Sequence, residues 1–293
     1  MLRGLQKITM DFVDGELGCS HHHCGGSMPV GTSAHYDYLR TKIQAGQYYE
    51  YPFMKTSSAP EAAGVWHSLW TAAGYPGAGS APAATPGTSY DDTAGSIFFP
   101  DNASQKYVTG LQITANQNCV AILMDRLVAV SAISLASTGN KTVNSSTVPR
   151  YTGTAAAGNM AFCEVTTVTA TTAPNVDMFQ YTNEAGTTGR AGPAVAFPAA
   201  ATNVDCLIPL PLQAGDRGVR SVETLDVNTA AASGVCSILI ARPLHYIGLV
   251  ANITTELDMF AFPQIFDGAS LQLALIPTGT TAVVMTGKVT VTY

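Results

Sequence analysis

The chain has 293 residues and a formal net charge of −6, with 46% apolar and only 12% charged residues. That length can bury a sizeable core without disulfide staples. The scarcity of charge excludes a disordered polyelectrolyte, and the lack of any basic block argues against nucleic acid as a partner. No run of about 18 apolar residues occurs, so no membrane-spanning helix is expected. The opening stretch MLRGLQK has no apolar core of the kind a secretory signal needs, so no export signal is expected either.

The charge fraction is about half the usual ~25%. Two readings follow: a chain that covers much of its surface in an assembly, or a robust β protein with a Thr/Ser surface. Assembly is the preferred expectation.

Residues 1–105 read as an irregular arm. Near its start stand Cys19, His21, His22, His23 and Cys24. Thiolate and imidazole suit zinc, but side chains this close in sequence cannot all converge on one ion. Cys19, His21, His23 and Cys24 are therefore weak metal candidates. A soft-metal site, a Cys19–Cys24 disulfide and a plain turn stay open, and no bound metal or other cofactor is expected. Short helices are predicted at 36–45 and 60–73; the second rests on Trp66, Leu69 and Trp70 at i, i+3, i+4 spacing. The Gly/Pro-rich stretch 73–87 suits neither a helix nor a central strand. The arm is rich in aromatics, and Tyr48, Tyr49, Tyr51, Phe53, Trp66 and Trp70 are predicted interface anchors. Asp91 and Asp92 read as a solvated turn.

From residue 107 on, period-two runs of β-branched residues recur. Strands are predicted at 107–115, 118–132, 160–171, 176–181, 204–212, 218–227, 235–241, 271–276 and 283–293, with turn residues between them. The fold class is mainly β: an antiparallel β-sandwich, jelly-roll-like, spanning 106–293 behind the arm. Cys119, Cys163, Cys206 and Cys236 lie in apolar runs and read as buried free thiols. Asp125 and Arg126 interrupt an apolar strand; facing opposite sides, they do not simply pair with each other, and one of them is expected to meet a cross-strand or inter-subunit partner. Arg150, Arg190, Arg217 and Arg220 lie at loops or strand starts and are further interface candidates. Neither a Gly-x-Ser-x-Gly elbow nor a His-Glu-x-x-His helix occurs, and no pair of carboxylates is singled out. The expectation is a protein that is not an enzyme.

Several segments carry a resemblance: WHSLWTAAG at 66–74, MDRLV at 124–128, VPRYT at 148–152, YTNEAGTTGR at 181–190, PLQAGDRGVRSV at 211–222 and LIPTGT at 275–280. In these the chain resembles a family of structural proteins of tailed bacteriophages, over roughly residue 66 to the C-terminus. The shared motifs are turns and strand edges. The resemblance implies a virion component assembled in the host bacterial cytoplasm, foremost a capsid decoration (cement) protein. Its partners would be the major capsid protein and other virion proteins, and copies of itself. It transfers no active-site residues. A neck, collar or tail component, and a jelly-roll adhesin for a receptor or carbohydrate, are the alternatives.

Overall fold

The computed structural model describes residues 33–57, 61–102, 105–168, 173–198, 203–257 and 263–293. The Cys19–Cys24 cluster lies outside the described residues.

Helix α1 (Ser33–Gln44) leads into β1 (Tyr48–Thr56). Short strands β2 (Trp66–Ser68), β3 (Ala73–Tyr75) and β4 (Thr88–Ser89) follow. Next come β5 (Lys106–Ala115), the long β6 (Cys119–Ser134) and β7 (Gly139–Thr142). A 3-10 turn (Gly153–Ala156) precedes β8 (Met160–Thr167) and β9 (Asn175–Asn183). The chain continues through β10 (Arg190–Gly192), β11 (Val195–Ala196), β12 (Cys206–Leu210) and β13 (Val219–Thr229). It ends with β14 (Val235–Leu249), β15 (Thr255–Leu257), β16 (Gln264–Ile265), β17 (Leu271–Pro277) and β18 (Val284–Thr292).

Every strand pairing in the described residues is antiparallel. The protein is mainly β, but the expected single sandwich is not what forms. Strands β14, β8, β12, β2, β17 and β6 pair in turn, and β6 pairs back with β14, closing a six-stranded barrel. Two further sheets lie against its outside. One runs β15-β5-β18-β1-β3 and the other β10-β9-β13-β7.

Strand alternation explains this layering. In β8, Ala161, Cys163 and Val165 point outward into a core shared with Phe179, Tyr181, Val222 and Leu225 of the β9/β13 sheet, while Phe162 points into the barrel. In β17, Leu271, Leu273 and Leu275 join a second outer core with Leu111, Ile113, Val289 and Val291 of the β5/β18 sheet, while Ala274 faces inward. β6 serves both outer cores. Ala121 and Leu123 pack towards the β5/β18 sheet, Val128 and Val130 towards the β9/β13 sheet. The change falls at a bulge, where the register against β14 shifts between Arg126 and Val128.

All nine predicted strands form. The strand predicted to end at Ala241 runs on to Leu249 through Pro243. That proline sits at a bulge, past the last β8 pair (Ala241 with Met160), where a missing N–H interrupts no interior ladder.

The described part of the segment read as an arm is woven into the same body. β1 pairs along its whole length with β18, and the three residues of β2 bridge β12 and β17. The predicted helix at 36–45 is present as α1. The one predicted at 60–73 is not: its spaced aromatics are used by β2 and the turn after it. Gly64, at φ +75, breaks any helix there, and pairing on both sides of β2 overrides the local pattern.

Three residues expected at an interface are spent inside the chain: Phe53 and Trp70 are core residues, and Arg150 is buried in an ion pair. Trp70 packs so closely on Gly79 that a Cβ there would lie 2.0 Å from its ring.

Candidate functional site

Asp125 and Arg126 find separate partners, on opposite faces of β6. Arg126 points into the barrel. Its Nη2 donates to Glu164 Oε2 at 2.6 Å, and its Nη1 to Glu164 Oε1 and Gln272 Oε1, both at 3.1 Å. The guanidinium carbon lies 4.8 Å from the Trp70 ring centroid and 4.9 Å from that of Tyr90. Burial alone would raise the Glu164 carboxyl, but the Arg126 charge outweighs it and holds it below the ordinary range.

Asp125 is gripped by Arg150, with Nη2 to Oδ1 at 2.6 Å and Nε to Oδ2 at 3.0 Å, and it accepts the Ser270 N–H at 3.1 Å. Arg150 Nη1 also donates to the Tyr90 carbonyl at 2.7 Å. Burial pushes the Asp125 carboxyl up, against the pull of Arg150 and Ser270. These charges lock loops to the barrel and are not offered to a substrate.

A second buried group joins residues far apart in sequence. His67 Nδ1 lies 2.7 Å from Glu61 Oε2, and Cys206 Sγ is 3.8 and 3.9 Å from the two ring nitrogens. Thiol, imidazole and carboxylate in this order suggest nucleophilic catalysis, but the geometry does not. Sulfur is almost equidistant from both nitrogens, so neither is aimed at it. Nε2 instead faces the Ala62 backbone, whose N–H is 3.0 Å away. All three side chains are buried.

Lys106 is a third such group. Its ammonium is buried and contacts Asp267 and, at 3.6 Å, Asp101. The Asp92 carboxyl nearby is raised by burial and by Asp101 and Asp91, with Lys106 opposing. The lysine supplies the positive charge this acidic turn needs. Among the described residues, no group of three or more His, Cys, Asp or Glu is placed to hold a metal ion.

An open cleft of about 640 Å³ lies between the loop after Val148 and the loop around β16. Pro149, Tyr151, Thr152 and Ala155 form one wall; Gln105, Gln264, Phe266 and Asp267 form the other. A neighbouring depression shares Tyr151, Ala155, Gln264 and Phe266 and extends to Arg242 and Leu244 of β14. Leu244 is the extra residue of a β14 bulge and packs against both outer cores, so the cleft opens where the two flanking sheets meet. Tyr151 has φ +51, a left-handed conformation rarely held by an aromatic residue. Its ring meets Phe266 edge-on at 4.9 Å and lies 5.2 Å from the Arg242 guanidinium carbon. Arg242 donates to the carbonyls of Ala155 and Ala157, tying down the 3-10 turn.

The remaining interface candidates are scattered. Tyr49 stacks on Tyr293 at 4.7 Å, and Tyr51 on Tyr75 at 5.4 Å, both half-buried. Arg190 is paired with Asp216 at 2.8 Å and holds its carboxyl down at about 2. Arg220 is half-buried, with its guanidinium against Gly186. Tyr48 and the Arg217 side chain are exposed.

Trp66 stands at one end of the barrel, packed with Phe162 and Tyr246 at 5.5 and 5.9 Å. Met160, Val120 and Ile276 surround the same core and are only partly buried, and Tyr246 is 48% exposed. This apolar barrel end and the cleft were both missed in the sequence, because strands and loops distant along the chain build them. No helix of the described residues is long and apolar enough to cross a membrane. No family model, curated protein or solved structure matches the chain.

Proposed function

We propose that the chain is a non-enzymatic structural protein of a tailed-phage virion, a decoration subunit that packs on the head shell and on copies of itself. The observation that supports this reading best is the barrel end formed by Trp66, Tyr246, Met160, Val120 and Ile276. Aromatic and aliphatic side chains are left partly open to water there, on a chain with few surface charges. Trp and Tyr concentrate binding energy where interfaces form. Burying such a patch returns about 25 cal/mol per Å², and a symmetric shell repeats the contact.

The test is co-sedimentation of purified protein with expanded phage heads that lack it. Wild-type protein should pellet with heads, and the double variant Trp66→Ser/Tyr246→Ser should stay in the supernatant while keeping its β circular dichroism. Binding to isolated tails or necks in place of heads would move the protein to that part of the particle. Binding to none of them would overturn the reading.

A further inference from the structure

We infer that the cleft between Tyr151 and Phe266 recognises a neutral saccharide. This is a binding activity separate from shell packing and does not rest on that reading. The argument begins with charge. Among the described residues that line the cleft, the charged ones are Arg150 and Asp267, and each is already paired, with Asp125 and with Lys106; Arg242, in the adjoining depression, keeps its charge but has its Nη1 committed to the carbonyls of Ala155 and Ala157. In the cleft itself a charged ligand would lose water and meet only charges that already have partners.

What the cleft does offer is uncharged. Phe266 is 39% exposed, a large aromatic surface held in place by its edge-on contact with Tyr151. Beside it lie Gln105, Gln264 and Thr152. Gln105 accepts the Tyr107 hydroxyl through Oε1 at 3.0 Å, which leaves its Nε2 to donate. A sugar ring matches this combination, with C–H groups on its face for an aromatic and hydroxyls at its edge for amides. The volume of about 640 Å³ falls in the range of small-ligand sites. The walls are also pre-set. Arg150 anchors one to the barrel, Arg242 clamps the 3-10 turn, and the strained backbone of Tyr151 is held between them. Such pre-organisation lowers the entropy cost of binding.

The experiment applies the full chain to an array of neutral, sialylated and sulfated oligosaccharides, then titrates the strongest neutral binder by calorimetry. Neutral glycans should bind. Phe266→Ala should weaken the titrated glycan at least tenfold, and Gln264→Ala several-fold, with thermal unfolding and head co-sedimentation unchanged. Should Phe266→Ala misfold, Gln264→Ala alone carries the comparison. The proposal is overturned if no glycan binds above background, if anionic glycans are preferred, if the variants bind as the wild type does, or if selected peptides displace the glycan with the same Phe266 dependence.

Discussion

Arg126 and Glu164 face each other across the barrel interior, one from β6 and one from β8, through two hydrogen bonds of 2.6 and 3.1 Å. Both are almost completely buried, so the pair has given up its water. Removing one partner strands a charge, which typically costs 3–5 kcal/mol, whereas replacing both by apolar side chains is often neutral. Glu164→Ala should therefore lower the unfolding free energy by about 3–5 kcal/mol, and Arg126→Met/Glu164→Leu by clearly less. Urea denaturation of the single and double variants measures this. A double variant as unstable as the single would show that the charges contribute net stability.

Lys55 gives a pH dependence on the alkaline side. It is buried, among the described residues its Nζ donates to the carbonyls of Ala72 and Gly77 at 3.2 and 3.0 Å, and burial pushes its pKa down to about 8 from 10.5. Between those values the unfolded chain binds a proton that the folded chain has released. The Lys55 contribution to stability therefore rises as pH increases from about 8 to 10.5 and is flat below about 8. Lys55→Met should remove that rise, as read from unfolding midpoints across the alkaline range.

Asp216 acts at the other end of the scale. Arg190, Tyr181 and Asn183 all donate to its carboxylate. Its pKa is lowered from 3.8 to about 2, so its stabilisation is complete above 3.8 and is lost as pH falls towards 2. Asp216→Asn should flatten this acid limb in the same midpoint series.

Lys106→Met should destabilise by about 1–3 kcal/mol, since Asp101 and Asp267 lose their cation. Both acids are partly exposed, which keeps the loss below that of a fully buried pair. Salt screens the repulsion between the two partly exposed carboxylates, so the gap between variant and wild type should narrow at high ionic strength. A gap that stays constant with salt would assign the loss to packing of the lysine stem.

Cys119, Cys163, Cys206 and Cys236 are free and buried. A thiol reagent should reach none of these four in the native protein and all of them in denaturant. For Cys119, burial also pushes the thiol up to about 11, leaving little reactive thiolate. Mass spectrometry of labelled peptides separates these four from Cys19 and Cys24.

Period-two patterning made strands such as β9 and β18 legible, because each is half-buried on an outer core, whereas the barrel strands β6, β8, β14 and β17 are buried along much of both faces and show as apolar, β-branched runs between turns. It could not reveal β2, which is only three residues long, or the way β2 converts stacked sheets into a ring. It read β1 as part of an arm. Tyr49, Tyr51 and Phe53 do alternate with Tyr48, Glu50 and Pro52, but consecutive tyrosines blur the contrast between the faces. That Asp125 and Arg126 do not pair with each other follows from strand geometry, but the expectation of a partner for only one of them falls short, since both are paired within the chain. Those partners, Arg150 and Glu164, lie 25 and 38 residues away and follow from no local rule. The cleft depends on a bulge at Leu244 and a left-handed Tyr151, neither of which has a sequence signature.

The pairing of β1 with β18, Tyr48 opposite Thr292, also sets an order of events during synthesis. β1 leaves the ribosome early, yet the strand it needs is made far later. The barrel waits in the same way, since β2 closes it only once β17 exists. Neither the ring nor the β5/β18 sheet can be completed before those late strands emerge. Until then, the apolar faces of β1 and β6 have no permanent cover. Pairings this distant make folding slow, so the emerging protein should depend on chaperone protection for longer than its size alone would require.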